Sequence, residues 1–265
     1  MQRWLLSLLL SVAVLCCGSA TAGFFGPSSF NGGFFQNPST FDPATTDLVD
    51  VSFVSDLGLT KTGSDIDEWA AQVQSNGEYM EDAAGNKPSV DAVTTLNGHE
   101  TIRFDQAANE SMTFRESGGG NWTKSAGSHY FLMVVKFISP TGTEYAIDFA
   151  TGRFTLFPSV ASDGNLNMNY NTGVVDSGDS TTSNWIIWEA ELDATGNTAK
   201  MWQNCTQVYS DSSYTADIAV GGSGGFMRVN SGASSTPDSN VAALMYKSGT
   251  RPAGLCENVQ TYYGL

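Results

Sequence analysis

His129-Tyr130-Phe131-Leu132-Met133-Val134-Val135-Lys136-Phe137-Ile138 decides the fold class of this chain. The run is almost unbroken apolar, rich in aromatic and β-branched residues, and too short to span a bilayer. An apolar run without alternation predicts a central strand buried on both faces. On either side the chain breaks into further short segments divided by turn residues. Residues 144–149 and 153–157 flank Thr151-Gly152 and predict a hairpin. Residues 165–171 alternate strictly, with Leu166, Met168 and Tyr170 on one side and Asn165, Asn167, Asn169 and Asn171 on the other. Residues 185–192 and 200–209 read as two strands joined by the turn-forming stretch 193–197, and residues 226–229 and 241–246 complete the set. Helical periodicity is confined to residues 65–73 and 257–262. Many short strands with polar turns predict an all-β fold, a sandwich of two antiparallel sheets.

The N-terminus reads as an export signal. Arg3 precedes an apolar run from Trp4 to Cys17, and Ala20-Thr21-Ala22 is a small-x-small cleavage pattern, so residues 1–22 are expected to be removed. No later stretch is long and apolar enough to insert in a membrane. The formal charge of the whole chain is −15, and cleavage, which removes Arg3 and no acid, makes it one unit more negative. Such a chain is repelled by nucleic acid and by anionic membrane surfaces, and is compatible with divalent cations and neutral glycans. Two of the four cysteines leave with the signal. Cys205 and Cys256 remain, and in an oxidising compartment they are expected to form a disulfide worth about 4 kcal/mol in the chain-entropy model. Two free buried thiols are the alternative.

Residues 23–46 form a distinct arm. Phe24, Phe25, Phe30, Phe34, Phe35 and Phe41 are interspersed with glycine and proline, which argue against a helix. A segment with this many aromatic rings is not a solvated tail, and something must cover it. One expectation is that the arm crosses to another copy of the chain and adds a strand there, building a head-to-tail assembly. The other is that it lies on its own sandwich.

From residue 47 to residue 265 the chain resembles the concanavalin A-like, laminin-G-like jelly-roll family. Trp69, then Lys87-Pro88, then Leu96-Asn97-Gly98-His99-Glu100-Thr101-Ile102-Arg103-Phe104-Asp105 are similar to that family's tryptophan, proline and "LNG…RFD" stretch. Residues 188–204 are similar to its paired strands closed by an Asn-Gly turn, except that Asn204 is followed by Cys205. Residues 241–246 and the terminal Tyr262-Tyr263-Gly264-Leu265 are similar to its closing strand and end. The resemblance implies a two-sheet jelly roll, often with a calcium ion and a surface that takes glycans or proteins. It does not imply one function, because the fold hosts lectins, receptors, adhesins and hydrolases.

The catalytic candidates are Glu189, Glu191 and Asp193, which alternate on one strand and so share a face. Retaining glycosidases of this fold class place acids at this spacing, one as nucleophile and one as acid-base. Here the order is Glu, Glu, Asp rather than Glu, Asp, Glu, Asp193 starts a turn, and the simpler expectation is a solvated face of an outer strand. His99 and His129 are expected to be hydrogen-bonded structural histidines, and no Gly-x-Ser-x-Gly elbow is present. Oxygen-rich stretches around Asp163 and from Asp176 to Asp179 are the candidate calcium ligands, since calcium takes six to eight oxygens. Amides both donate and accept, so the row Asn165, Asn167, Asn169 and Asn171 suits sugar hydroxyls; an ordinary polar outer face is the alternative. Asn109, Asn121 and Asn204 head N-glycosylation sequons. The expected function is that of a secreted, non-catalytic module. Assembly through the arm stands slightly ahead of a monomeric glycan-binding module, with a glycan-cleaving enzyme third.

Overall fold

The computed structural model describes residues 41–82, 85–138, 145–149, 154–158, 165–170, 173–180, 184–214, 218–222, 225–228 and 237–265, with backbone alone at residues 157, 173–180 and 228. Among these residues nineteen strands and one helix follow in chain order. They are β1 (Val51–Val54), β2 (Leu59–Thr62), β3 (Asp65–Ala70), β4 (Tyr79–Asp82), β5 (Ser89–Leu96), β6 (His99–Phe104), β7 (Met112–Arg115), β8 (Thr123–Gly127), β9 (His129–Phe137) and β10 (Tyr145–Phe149). Then come β11 (Phe154–Pro158), β12 (Asn165–Tyr170), β13 (Gly173–Ser180), β14 (Ile186–Asp193), β15 (Thr198–Gln203), β16 (Thr206–Asp211), β17 (Ile218–Gly221), β18 (Gly225–Arg228), β19 (Ser239–Ser248) and the helix α1 (Leu255–Tyr263).

Antiparallel ladders build two layers. One runs β5–β6–β19–β9–β14–β15–β16, with β1 alongside the second half of β19. The other runs β2–β3–β4–β7–β18–β10–β11–β12–β13. A bridge from Asp65 to Ser89 ties the layers at one edge, and β8 pairs with β17 apart from both. The main core lies between the layers. Phe131, Met133, Val135 and Phe137 of β9 enter it from one side, and Phe149, Phe154, Leu156 and Met168 from the other. This is the all-β sandwich that the alternation and turns predict.

The unbroken apolar run in β9 has a structural cause. Its odd-numbered residues face the main core, while Tyr130, Leu132 and Val134 face a second core on the outside of the layer. There they meet Ile187, Ala242 and Met245 beneath Leu255, Cys256, Val259 and Tyr263 of α1. A strand buried on both faces has no polar side to show. The helix replaces solvent on one face of this layer and ends in a left-handed Gly264 (φ 69°), whose neighbour Leu265 donates to the Gln260 carbonyl at 3.0 Å.

Turn chemistry sets the registers. Asn97 (φ 51°) and Gly98 (φ 85°) close the β5–β6 hairpin in the mirror-image geometry that suits strand twist. The stretch read as one strand over residues 200–209 is two, because Asn204 (φ 50°) and Cys205 (φ 65°) fold back between β15 and β16. The expected helix over residues 65–73 is strand β3. Ile66 and Trp69 are both buried, a helical spacing in sequence. The ladder explains it, since Lys61 opposes Ile66 and Thr60 opposes Glu68, which makes Asp67 an extra, bulged residue that returns Trp69 to the inner face.

Candidate functional site

The three carboxylates of β14 lie on one face, as their alternation requires, but that face is not solvated. Glu189 is 0% exposed and Glu191 3%, because α1 and the chain leading into it cover the layer. Arg251 donates to Glu189 through Nε (2.6 Å) and a terminal nitrogen (3.1 Å), and Tyr130 Oη donates to the same carboxylate at 2.5 Å. Glu191 accepts from the Arg251 backbone amide at 2.6 Å and from Lys200 Nζ at 3.1 Å. The Arg251 guanidinium also lies 5.1 Å from the centre of the Trp202 ring. Burial pushes the Tyr130 hydroxyl well above its ordinary value, with the Glu189 charge adding to it, so the hydroxyl remains a donor. Burial alone would pull Arg251 down, yet the hydrogen bonds and charge of Glu189 raise it on balance. Asp193 closes the turn: its Oδ1 accepts from the amides of Gly196 (2.9 Å) and Thr195 (3.0 Å) and from Ser128 Oγ (3.1 Å), and the Gly196 bond leads in lowering its pKa. Both glutamates are held as structural ion pairs.

The opposite layer presents a different surface. Register places Asn169 beside Thr155, Thr155 beside Asp148, and Asp148 beside Gly225, all on the outer face, since Leu166, Met168 and Tyr170 fill the core. The same transverse row continues through Thr113 and Glu81 to Glu68. Thr155 is 7% exposed, Asp148 8% and Asn167 6%, while Asn165 and Asn169 are half-buried. Asn167 Nδ2 donates to the Asn165 carbonyl at 3.2 Å. Thr155 Oγ1 and Asn169 Oδ1 are both buried and have no hydrogen-bond partner. Buried polar atoms of native proteins are almost always paired; Ser52 Oγ, Trp188 Nε1, Thr198 Oγ1 and Gln203 Oε1 of the other layer are likewise unpartnered, but Thr155 and Asn169 stand directly opposite each other on one face. Asn171, the last of the expected asparagine row, lies outside the described residues.

The other sequence candidates scatter. Asp176 and Asp179 lie on strand β13 rather than in a loop, with Asp176 opposite Asn167, and Asp163 lies outside the described residues. Among the described residues the one trio of metal-type side chains within 4.8 Å is Glu189, Cys205 and Cys256, and both sulfurs are spent in the Cys205–Cys256 disulfide. His129 is fully engaged: Nε2 donates to the Ile218 carbonyl at 2.8 Å and Nδ1 meets Tyr246 Oη at 2.9 Å. His99 pairs with Asp56 at 2.8 Å and stacks on Tyr262. Asn109, Asn121 and Asn204 are exposed, but Asn204 Oδ1 accepts from the Ile187 amide at 2.9 Å inside the disulfide-bearing turn. Phe41 is buried in the outer core, edge-on to Tyr262 at 6.3 Å; the other five phenylalanines of the arm lie outside the described residues. Sequence reasoning missed Arg251, Tyr130, Thr155 and Asp148. The one available signal was Ile187, an apolar residue sharing the face of Glu189 and Glu191.

No family model matches this sequence, and no curated protein matches it. Solved structures do. The botulinum neurotoxin serotype G binding domain superposes with a TM-score of 0.55 at 11% identity, over 82% of this chain and 50% of that one. The botulinum neurotoxin serotype D ligand binding domain, in complex with N-acetylneuraminic acid, gives 0.53 at 11%, over 82% and 51%. Trypanosoma rangeli sialidase in complex with the inhibitor DANA gives 0.55 at 10%, over 86% and 34%. What they share with this chain is a fold. The chain spans about half the length of these toxin domains and about a third of the sialidase chain.

Proposed function

We propose that the chain is a secreted, non-catalytic glycan-binding module of concanavalin A-like architecture, working through the outer face of the β10–β11–β12 region. The observation that carries this reading is the pair of unsatisfied polar atoms, Thr155 Oγ1 and Asn169 Oδ1, among the amides of Asn165 and Asn167. Sugar hydroxyls supply the donors and acceptors such atoms lack. Support also comes from the structural neighbours, one of them a toxin ligand binding domain in complex with a sugar acid. The ion-paired state of Glu189 and Glu191 argues against a glycosidase on β14. The export signal over residues 1–22 and the disulfide favour work outside the cell. Screening the mature protein against immobilised oligosaccharides tests the reading. Saturable binding is expected; hydrolysis of a bound glycan that Glu189→Gln abolishes would replace it with an enzyme.

Assembly through residues 23–46 is the second reading; it rests on the phenylalanine-rich sequence of the arm, since Phe41 itself packs on its own sandwich beside Tyr262. Light scattering on the mature chain with and without residues 23–40 decides it: an oligomer that becomes a folded monomer supports it, and two monomers end it.

A further inference from the structure

We propose that opening the Cys205–Cys256 disulfide creates a buried site for one zinc-class ion, with Cys205 Sγ, Cys256 Sγ and the Glu189 carboxylate as its ligands. The three ligand atoms already lie within 4.8 Å of one another. In a tetrahedral zinc site, with Zn–S about 2.3 Å and Zn–O about 2.0 Å, neighbouring donors stand about 3.5–3.8 Å apart, so modest side-chain rotations gather the trio. Gln260 Oε1, one helical turn beyond Cys256, lies 3.9 Å from Cys205 Sγ and can complete a set of four. Two thiolates select zinc or copper(I) over calcium, which takes six to eight oxygens.

Three elements hold these ligands, and each has anchors besides the sulfur–sulfur bond. Glu189 stands on β14. Asn204 bonds Ile187 twice, its amide to the carbonyl at 2.8 Å and its Oδ1 to the amide at 2.9 Å, which keeps the turn bearing Cys205 against β14. Cys256 is fully buried, with Leu255, Val259 and Tyr263 of α1 seated around it in the outer core. Glu189 is also furnished as metal-bound carboxylates are, with partners that orient it. A carboxylate offers about four acceptor positions, and the bonds from Tyr130 Oη and from Arg251 take three. The charges match as well. Zinc and Arg251 bring three positive charges, and two thiolates with Glu189 bring three negative, so the buried site is neutral when loaded.

A dithiol reductant supplies the opening step. Its thiolate attacks Cys205 Sγ, the half-buried sulfur, and Cys256 leaves as a thiolate in the first turn of α1, where helix amides favour an anion. The second thiol of the reductant then displaces Cys205, so two electrons and two protons pass to the chain and the reductant leaves as a disulfide. The metal displaces both protons as it binds. It thereby takes over the tether between α1 and the β15–β16 turn.

The experiment reduces the mature protein with a phosphine, removes the excess, and titrates it with cobalt(II) and then zinc(II). The expected result is one cobalt per reduced chain, with thiolate charge-transfer and tetrahedral d–d absorption that zinc displaces; the oxidised chain shows neither band. Zinc should raise the thermal midpoint of the reduced chain by several degrees and restore hydrogen-exchange protection to the amides of α1. Cys256→Ser should abolish the charge-transfer band. Glu189→Leu with Arg251→Met removes both members of the ion pair and strands no charge, and it should weaken cobalt binding at least tenfold. X-ray absorption on the zinc-loaded parent should show two sulfurs beside lighter ligand atoms. That measurement decides whether or not the double variant folds, since four sulfurs, the mark of a site shared between two chains, or none would overturn the proposal. Absence of a thiolate band from the reduced chain, equal cobalt binding by the oxidised chain, or undiminished affinity in a folded double variant would overturn it equally.

Discussion

Arg251→Met isolates what the buried carboxylate of β14 does. The substitution removes both guanidinium hydrogen bonds to Glu189 (2.6 and 3.1 Å) and the contact with the Trp202 ring. It leaves a fully buried carboxylate with Tyr130 Oη as the one side-chain donor given by this geometry. The amide of residue 251 still serves Glu191, and Lys200 still pairs with it, so the loss is confined to Glu189. Stranding one member of a buried pair costs about 3–5 kcal/mol, and in a domain of this size that lowers Tm by roughly 6–20 °C. Replacing both partners, as Glu189→Leu with Arg251→Met, removes the stranded charge and should recover most of that loss. Urea unfolding with the disulfide intact measures all three variants, and an unchanged m-value licenses the comparison. A cost below about 1 kcal/mol for Arg251→Met, the range of an exposed pair, would refute the claim that this face is sealed.

Two further outcomes follow from the same geometry. Cys205→Ser with Cys256→Ser removes a link across 51 residues of sequence; the chain-entropy model sets the cost at about 4 kcal/mol, and amides of α1 should lose hydrogen-exchange protection first, whereas undiminished protection there would show that the helix needs no tether. Glu110 is desolvated, which is the main cause of a pKa raised to about 7, against an opposing hydrogen bond from the Asp105 amide. The folded chain therefore favours the protonated form, and stability is greatest below the ordinary value of 4.5 and falls as pH rises to about 7. The group is only half-buried, so solvent screening limits the change to about 1–2 kcal/mol, and a chemical denaturation midpoint followed from pH 4 to pH 8 should lose this slope in Glu110→Gln.

The strands were legible because their causes are local. β-branched and aromatic runs, the Asn97-Gly98 turn and the alternation of β12 can each be read within a few residues. The burial of Glu189 could not be read that way. Its cover, α1, lies more than sixty residues downstream, and nothing within β14 except Ile187 betrays that the face is closed. The helical spacing of Ile66 and Trp69 misled for a related reason, since a bulge is a property of two strands and only one was in view. The row Asn169, Thr155, Asp148 is likewise a product of register across three strands. Its asparagines were visible as a face; its threonine and aspartate were not.

The two layers divide the labour of the fold, and the division argues for where function lies. The layer around β9 is buried on both sides, one against the main core and one beneath α1, where ion-paired Glu189 and Glu191 lie among apolar residues. That second side is tied down at a cost: Cys205 holds φ 65° where a glycine would be at ease, so that its sulfur reaches Cys256 in the first turn of the helix. A covered face with its charges paired has little left to offer a glycan. The layer around β12 alternates apolar residues toward the core with polar ones outward, and there the hydrogen-bonding capacity is incomplete at Thr155 and Asn169. The proposed glycan face accordingly rests on two polar atoms of the opposite layer, Thr155 Oγ1 and Asn169 Oδ1, that have no hydrogen-bond partner within the chain. If Thr155→Val proves more stable than the parent and weaker in binding, that division is the correct account of the fold.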